Sequence, residues 1–251
     1  MYKDFINERV LIGSGMQADV YEWKGFAYKC FHDDYPKEWI AYEKMVQDEV
    51  SKSNLPVPHC YETVFPNTIK MDFINGISLL KKYENKSQNA GMSEFMELFQ
   101  KIHKVKGLDI PHFTESLQDQ INRSQVDDSI KVLANTYLNE VEQDDKEHDT
   151  LCHLDFHPLN IIDGENGICI IDWMNAKIAK PIWDYARTYV LFYESVPNML
   201  AEYVRQIYAK EKYEEKLFYK AVFVSAVCRL NENDTERMRK LIEGIKNKNN
   251  K

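Results

Sequence analysis

Apolar and polar positions change rhythm once along this chain. Up to about residue 73 the apolar positions come in short, often alternating runs. Val10-Leu11-Ile12 precedes a glycine turn, Asp19-Val20-Tyr21-Glu22-Trp23 follows it, and Phe26-Ala27-Tyr28-Lys29-Cys30-Phe31 alternates beyond Gly25. Such runs, bounded by turn residues, predict strands. Residues 36–51 break the series with a helical pattern that starts at Pro36, a favoured first-turn residue. Asn54-Leu55-Pro56-Val57-Pro58 ends that helix and leads into extended chain, and Tyr61–Phe65 and Thr68–Phe73 read as two further strands.

After Gly76 the apolar spacing becomes helical. Ser93 is placed to cap a helix carrying Phe95, Leu98, Phe99, Ile102 and Val105 on one face. Ile130, Leu133, Ala134, Tyr137, Leu138 and Val141 repeat the pattern, and the chain from about Asp184 is helical again, with a stripe through Leu217, Ala221, Val224 and Cys228. Packing core explains these stripes better than any binding role. One hairpin interrupts the helices: Ile161-Ile162, then the turn residues Asp163-Gly164-Glu165-Asn166-Gly167, then Ile168-Cys169-Ile170-Ile171. The expected division is a β-rich part over residues 1–70, a hinge over 71–76 and a larger helical part over 77–251, an α+β architecture.

Composition narrows the class. The 251 residues are 44% hydrophobic and 12% aromatic, enough for a substantial core. No run of about 18 apolar residues occurs, so no membrane span is expected. The start, Met1-Tyr2-Lys3-Asp4-Phe5, lacks the layout of a signal peptide. Five scattered cysteines with no Cys-x-x-Cys pair suggest neither a disulfide framework nor a structural zinc site, and a cytoplasmic location is expected. The net charge of −8 argues against a nucleic-acid partner. It is compatible with a cationic ligand, although ordinary solubility explains it as well.

The hairpin carries the densest chemistry. Folding it brings Asn160, just before the first strand, beside Asp172, just after the second. An amide oxygen and a carboxylate at one point are hard ligands suited to Mg²⁺. Asp155, on the loop before them, is free to accept a proton from a hydroxyl. That is the grammar of kinase-type phosphoryl transfer. Upstream, Gly13-Ser14-Gly15 joins two strands and lets backbone approach a phosphate closely, though a plain hairpin turn would read the same. Lys29 lies on the following strand, within reach of phosphates under that loop, though taken alone a solvent-facing lysine is the better reading. Glu43 on the next helix is placed to pair with it, with Glu38 and Glu49 as competitors. At Met71–Gly76 the extended backbone offers the Asp72 carbonyl and the Ile74 amide to the edge of a purine ring, although an ordinary strand ending in a turn reads the same.

The order of glycine loop, strand lysine, helix glutamate, hinge, His-x-Asp-x-x-x-x-Asn and Ile-Asp resembles the aminoglycoside phosphotransferase and choline kinase family. Four stretches carry the resemblance: Ile12–Gly15, Leu55–Pro58, His153–Asn160 and Ile171–Trp173. His157-Pro158 and Asp172-Trp173 match the small-molecule group rather than protein kinases, which have Asp-Phe-Gly at the second position. The resemblance implies a bilobal protein-kinase-like fold, with a small β-rich N-lobe and a larger, mainly helical C-lobe. It implies ATP or GTP as co-substrate, Mg²⁺, and a hydroxyl acceptor such as an aminoglycoside, choline or another amino compound. Asp155 would be the base, Asn160 and Asp172 the metal ligands, Lys29 the phosphate contact and Glu43 its orienting partner. His153 would brace the loop and Asp184 would support it. Leu154 stands where the family commonly has glycine, which puts the backbone angle there in question.

Two other classes fit parts of the chain. His153, Asp155 and His157 form a His-x-Asp-x-His triplet that could serve a metal-dependent hydrolase, but no second ligand cluster accompanies it. A kinase fold without catalysis is the other, although the lysine, the base and the metal aspartate are all present. For the acceptor, the acidic residues Asp184, Glu194, Glu202, Glu232, Asp234 and Glu236 offer themselves to ammonium groups, and a solvated helix face explains them equally well.

Overall fold

The structure is a computed structural model that describes residues 1–84, 88–144 and 148–249. It has a β-rich N-terminal region and a helical C-terminal region. The chain opens with α1 (Tyr2–Glu8), a short helix the sequence pattern did not announce. Its one buried residue, Phe5, packs on Trp23, Tyr28 and Phe65. Then come β1 (Val10–Ser14), β2 (Ala18–Trp23), β3 (Phe26–Phe31), α2 (Lys37–Val50), β4 (Cys60–Tyr61) and β5 (Thr68–Asp72). The five strands form one antiparallel sheet in the order β1-β2-β3-β5-β4. The β2–β3 turn has Lys24 and Gly25 at φ 51° and 78°, the double positive φ that matches the twist of a two-residue hairpin.

Two expectations shift here. Pro36 is the cap before α2 rather than its first residue. The strand expected over Tyr61–Phe65 shrinks to Cys60–Tyr61, because Thr63 turns the chain by accepting the Phe65 amide at its hydroxyl and Phe65 then enters the core.

Next are β6 (Gly76–Ser78), α3 (Leu79–Tyr83), α4 (Gln88–Ile102), α5 (Phe113–Arg123), α6 (Asp128–Glu142) and β7 (Thr150–Cys152). A 3₁₀ turn over Pro158–Asn160 leads into β8 (Ile161–Gly164) and β9 (Gly167–Ile170), followed by a second such turn over Trp173–Asn175 and β10 (Lys177–Ala179). The chain ends with α7 (Pro181–Ser195), α8 (Pro197–Lys210), α9 (Glu215–Arg229) and α10 (Glu236–Asn249). Ser93 lies inside α4, not at its start, and Val105 lies beyond its end.

These elements form two compact units, Met1–Lys82 with Pro158–Met174, and Tyr83–His157 with Asn175–Lys251. The division differs from the one expected over 1–70, 71–76 and 77–251. The β8–β9 hairpin joins the first unit because β6 pairs with β8 in a second antiparallel sheet, β6-β8-β9. Gly76 permits that pairing: a Cβ there would collide with the Asp163 carbonyl oxygen and come within 2.7 Å of the Gly164 Cα. Segment 71–76 therefore lies inside the first unit.

In the second unit, α9 is buried along the run Ala221–Cys228, so it is the central helix, with α6, α7 and α10 packed against it. β7 and β10 pair at its edge. Among the described residues no helix is long and apolar enough to cross a membrane.

Candidate active site

The first unit gathers one ammonium and two carboxylates. Lys29 is on β3, between β2 and β5, paired with Val20 and Ile69. Its Nζ lies 2.5 Å from Glu43 Oε1 and 3.3 Å from Asp172 Oδ1. The competition on α2 is thereby decided. Glu43 is buried against Lys29, whereas Glu49 pairs with Lys52 and Glu38 faces solvent. Burial presses Lys29 to lose its proton, but Asp172 and Glu43 outweigh it and hold its pKa above the ordinary lysine value. Burial raises Glu43, and Lys29 offsets this only in part. Glu43 Oε2 is buried with no hydrogen-bond partner among the described residues. A buried carboxylate oxygen without a hydrogen bond is costly.

Asp172 reaches this cluster through the hairpin. Ile161 faces Ile170 and Gly164 faces Gly167, and the Ile171 amide donates to the Asn160 carbonyl at 2.9 Å. The last bond fixes Asn160 one residue from Asp172, as the turn chemistry predicted. Asp172 has φ 65°, a left-handed angle that aspartate tolerates better than most side chains. Leu55–Pro58 buttresses the hairpin: the Ile170 amide donates to the Pro56 carbonyl at 2.7 Å, and Gln47 Nε2 donates to the Pro58 carbonyl at 2.6 Å. The Asn160 amide and the Asp172 carboxylate supply hard oxygen atoms of the type Mg²⁺ takes.

The glycine loop is the β1–β2 turn. The Gly15 amide donates to the Ala18 carbonyl at 2.9 Å, and the Ser14 hydroxyl donates to Asp19 Oδ1 at 2.6 Å. Neither Gly13 nor Gly15 is at positive φ, and a Cβ on either would make only ordinary contacts, the nearest at 3.7 and 3.4 Å. The fold itself therefore does not require these glycines. At the end of β5 the Asp72 carboxylate accepts from the His59 amide at 2.9 Å and the Tyr61 hydroxyl at 2.7 Å. Burial pushes its pKa up, but these hydrogen bonds outweigh it and hold the carboxyl below its usual range. Among the described residues the Ile74 amide donates to no protein acceptor.

The second unit holds Asp155 on a braced loop. Asp184 on α7 accepts the His153 and Leu154 amides at 2.7 and 2.8 Å and lies 3.1 Å from His103 Nε2. Arg187 Nε donates to the Leu154 carbonyl at 3.3 Å, and the Thr188 hydroxyl to the Phe156 carbonyl at 2.9 Å. Phe156 is fully buried between Phe95 and Phe99 of α4. Leu154 sits at φ 60°, the left-handed angle that glycine adopts most freely, so the departure at this position is real and strained. Asp155 keeps 22% of its side chain exposed, with His157 Nε2 at 3.9 Å. Arg187, Thr188 and His103 escaped the sequence reading, though Arg187 and Thr188 follow Asp184 by three and four residues on one helix face.

The hydrolase triplet does not assemble. The His153 ring instead accepts the Asp155 amide at its Nδ1, 3.3 Å away. Among the described residues the one set with metal-ligand spacing is His103, Cys152 and Asp184. There both Asp184 oxygens hold backbone amides and the Cys152 thiol faces the Ala179 carbonyl at 3.5 Å, so the set is a hydrogen-bonded brace. Nor do the six candidate acids form an open acidic surface. Besides Asp184, Glu194 pairs with Arg229, Glu202 with Arg205, Glu232 with Arg187 and Arg229, Asp234 with Arg239, and Glu236 with Lys240.

Solved structures share this fold. No curated protein matches the chain by sequence. The aminoglycoside phosphotransferase APH(4)-Ia, in a ternary complex with AMP-PNP and hygromycin B, superposes with a TM-score of 0.66 at 14% identity, covering 97% of this chain and 96% of that one. The choline kinase LicA from Streptococcus pneumoniae gives 0.62 at 15% identity, with 98% and 97% covered. A choline/ethanolamine kinase family protein from Mesorhizobium loti gives 0.61 at 17% identity, with 96% and 86% covered. The fold is thus kinase-like, as the resemblance implied. A family model described as the phosphotransferase enzyme family matches residues 10–217. The chain belongs to that family, and it is a small-molecule kinase.

Proposed function

We propose that this kinase transfers the γ-phosphoryl group of ATP or GTP to a hydroxyl of a small molecule, with Mg²⁺. The observation that carries the reading is the Lys29–Glu43–Asp172 cluster. Lys29, held by Glu43, contacts the nucleotide phosphates, and Gly13, Ser14 and Gly15 let backbone lie close over them. This accounts for two glycines that the fold does not need. The Asp72 carbonyl and the Ile74 amide meet the purine edge. Asn160 and Asp172 would hold Mg²⁺, which when bound supplies positive charge to the transferring phosphoryl oxygens.

Asp155 orients the acceptor hydroxyl and takes its proton as the oxygen attacks. Its loop is held at four backbone positions by α7, so the carboxylate is pre-positioned before an acceptor arrives. None of the five cysteines is in a disulfide. The acceptor is a hydroxyl compound of the size of an aminoglycoside or choline. The test is ADP release across a panel of aminoglycosides, choline, ethanolamine, amino sugars and other small alcohols, with wild type and Asp155→Asn side by side. An acceptor that stimulates release from wild type but not from the variant supports the reading. Equal stimulation of both would remove Asp155 from the reaction.

A further inference from the structure

We propose that the second unit carries a binding pocket for a small organic anion with a planar or apolar body, formed where α7, α9 and α10 meet. It uses none of the residues assigned above to phosphoryl transfer. The cavity measures about 510 Å³, within the size range of small-molecule sites. Tyr189 and Tyr193 from α7 and Tyr219 from α9 line it. The Tyr189 and Tyr193 rings are nearly parallel, 10° apart, and Tyr219 stands at 82° to Tyr189. Three phenol rings in this arrangement give a flat ligand faces to lie against and hydroxyls to bond.

Charge selects the sign of the ligand. Lys216, Lys240 and Lys248 also line the cavity, against a single carboxylate that lines it, Glu215. Lys240 is partly neutralised by Glu236 at 2.7 Å, but the lining still leans positive on a protein whose net charge is −8. An aromatic box of this type would otherwise suit an alkylammonium ion. Here two of its rings already carry cations. Arg237 Cζ lies 5.0 Å from the Tyr193 centroid, and Lys248 Nζ lies 5.8 Å from that of Tyr219. A cationic ligand would displace them and meet like charge, whereas an anion finds ammonium groups and phenol donors. Burial raises the pKa of Tyr189 and of Tyr219, so both stay protonated; the Tyr189 hydroxyl is bonded to that of Tyr219, which leaves the Tyr219 proton for a ligand.

A separate observation marks the pocket as kept open. Gly244 lies inside α10, where glycine costs about 0.5–1 kcal/mol relative to alanine. Its φ is not positive, and nothing lies within 4 Å of where its Cβ would stand. Neither backbone angle nor packing asks for glycine there, yet Gly244 lines the cavity.

Three probes of matched shape test this: 3-phenylpropionate, 3-phenylpropanol and (3-phenylpropyl)trimethylammonium, each titrated against protein with ring-labelled tyrosine and followed by NMR. Tyr189, Tyr193 and Tyr219 signals are assigned by single Phe substitutions. The anion is expected to shift these signals more tightly than the alcohol, and the cation least. Lys216→Gln and Lys248→Gln should each weaken the anion about two- to fivefold, the range of single exposed charge contacts. Gly244→Phe, at an exposed position with room for the ring, should weaken it about tenfold or more while melting like wild type. Tighter binding of the cation, no binding of the anion at millimolar concentration, or indifference to both lysine substitutions would overturn the proposal. None of these outcomes bears on nucleotide binding or transfer.

Discussion

Asp172 follows the hairpin of the first unit and Asp184 lies under the Asp155 loop of the second, and the two aspartates have opposite surroundings. Asp172 keeps 43% of its side chain exposed and shares one ammonium with Glu43, whose second oxygen has no partner among the described residues. Asp184 is fully buried, and both its oxygens hold backbone amides. In the proposed reading the first arrangement is the one that meets a ligand. The second consumes its charge in holding a loop. On that reading exposure, rather than residue type, separates the aspartate that acts from the one that supports.

Substitution should expose that contrast. The largest effect is expected at Asp172. Asp172→Asn keeps a side chain that tolerates the φ of 65° and removes only charge. Mg²⁺-dependent turnover should fall by at least about 10⁴-fold, with the melting temperature little changed, as loss of several kcal/mol of charge stabilisation requires. Asp155→Asn should lower kcat by about 10²–10⁴-fold and leave nucleotide affinity intact. Steady-state kinetics beside a nucleotide titration separates the two. If Asp172→Asn unfolded the protein instead, the contrast between the two aspartates would fail.

Asp184→Ala should act on stability. It strands two buried amides and His103, a loss of about 3–5 kcal/mol that a denaturant titration would read as a lower midpoint. Unchanged stability would mean that the loop holds itself. Leu154→Gly should on balance cost less, about 0–4 kcal/mol. Losing a buried leucine costs about 2–5 kcal/mol, and relief of the left-handed angle returns about 1–2 kcal/mol. A gain in stability would show that strain outweighs packing there.

The smallest effect is electrostatic. Burial works against the Glu232 carboxylate, but Arg187 and Arg229 outweigh it and hold its pKa below the ordinary 4.5. A depressed native pKa stabilises the fold above pH 4.5, and that contribution is lost as pH falls through the lower native value. Glu232→Gln should therefore flatten the acid side of the stability profile. An unchanged slope would show that the arginine pair adds nothing to the brace.

The sequence announced whatever rested on local pattern. The hairpin was legible because two β-branched runs flank glycine-rich turn residues, and its closure brings Asn160 and Asp172 together without any knowledge of the rest. Alternation placed Lys29 on its strand but by itself favoured a solvent-facing side chain. Glu43 could be named but not separated from Glu38 and Glu49, since the choice turns on the register of α2 against the sheet. The short α1 was missed because seven residues with one buried side chain make no periodic signal. The Arg229 partner of Glu194 and the Arg187 partner of Glu232 were also out of reach, because these ion pairs link residues far apart in the chain.

The central claim is that the first unit binds a nucleoside triphosphate through Lys29 and, with Mg²⁺, through Asp172. The most direct measurement is the melting temperature of wild type and Asp172→Asn, titrated with ATP and with GTP, each with and without Mg²⁺. A ligand at a hundredfold its dissociation constant stabilises the native state by about 2.7 kcal/mol, well within detection. The account predicts a rise with at least one nucleotide in wild type, larger when Mg²⁺ is present, and loss of the Mg²⁺-dependent part in Asp172→Asn. No rise with either nucleotide at millimolar concentration, or a rise of equal size in both proteins with and without Mg²⁺, would contradict it.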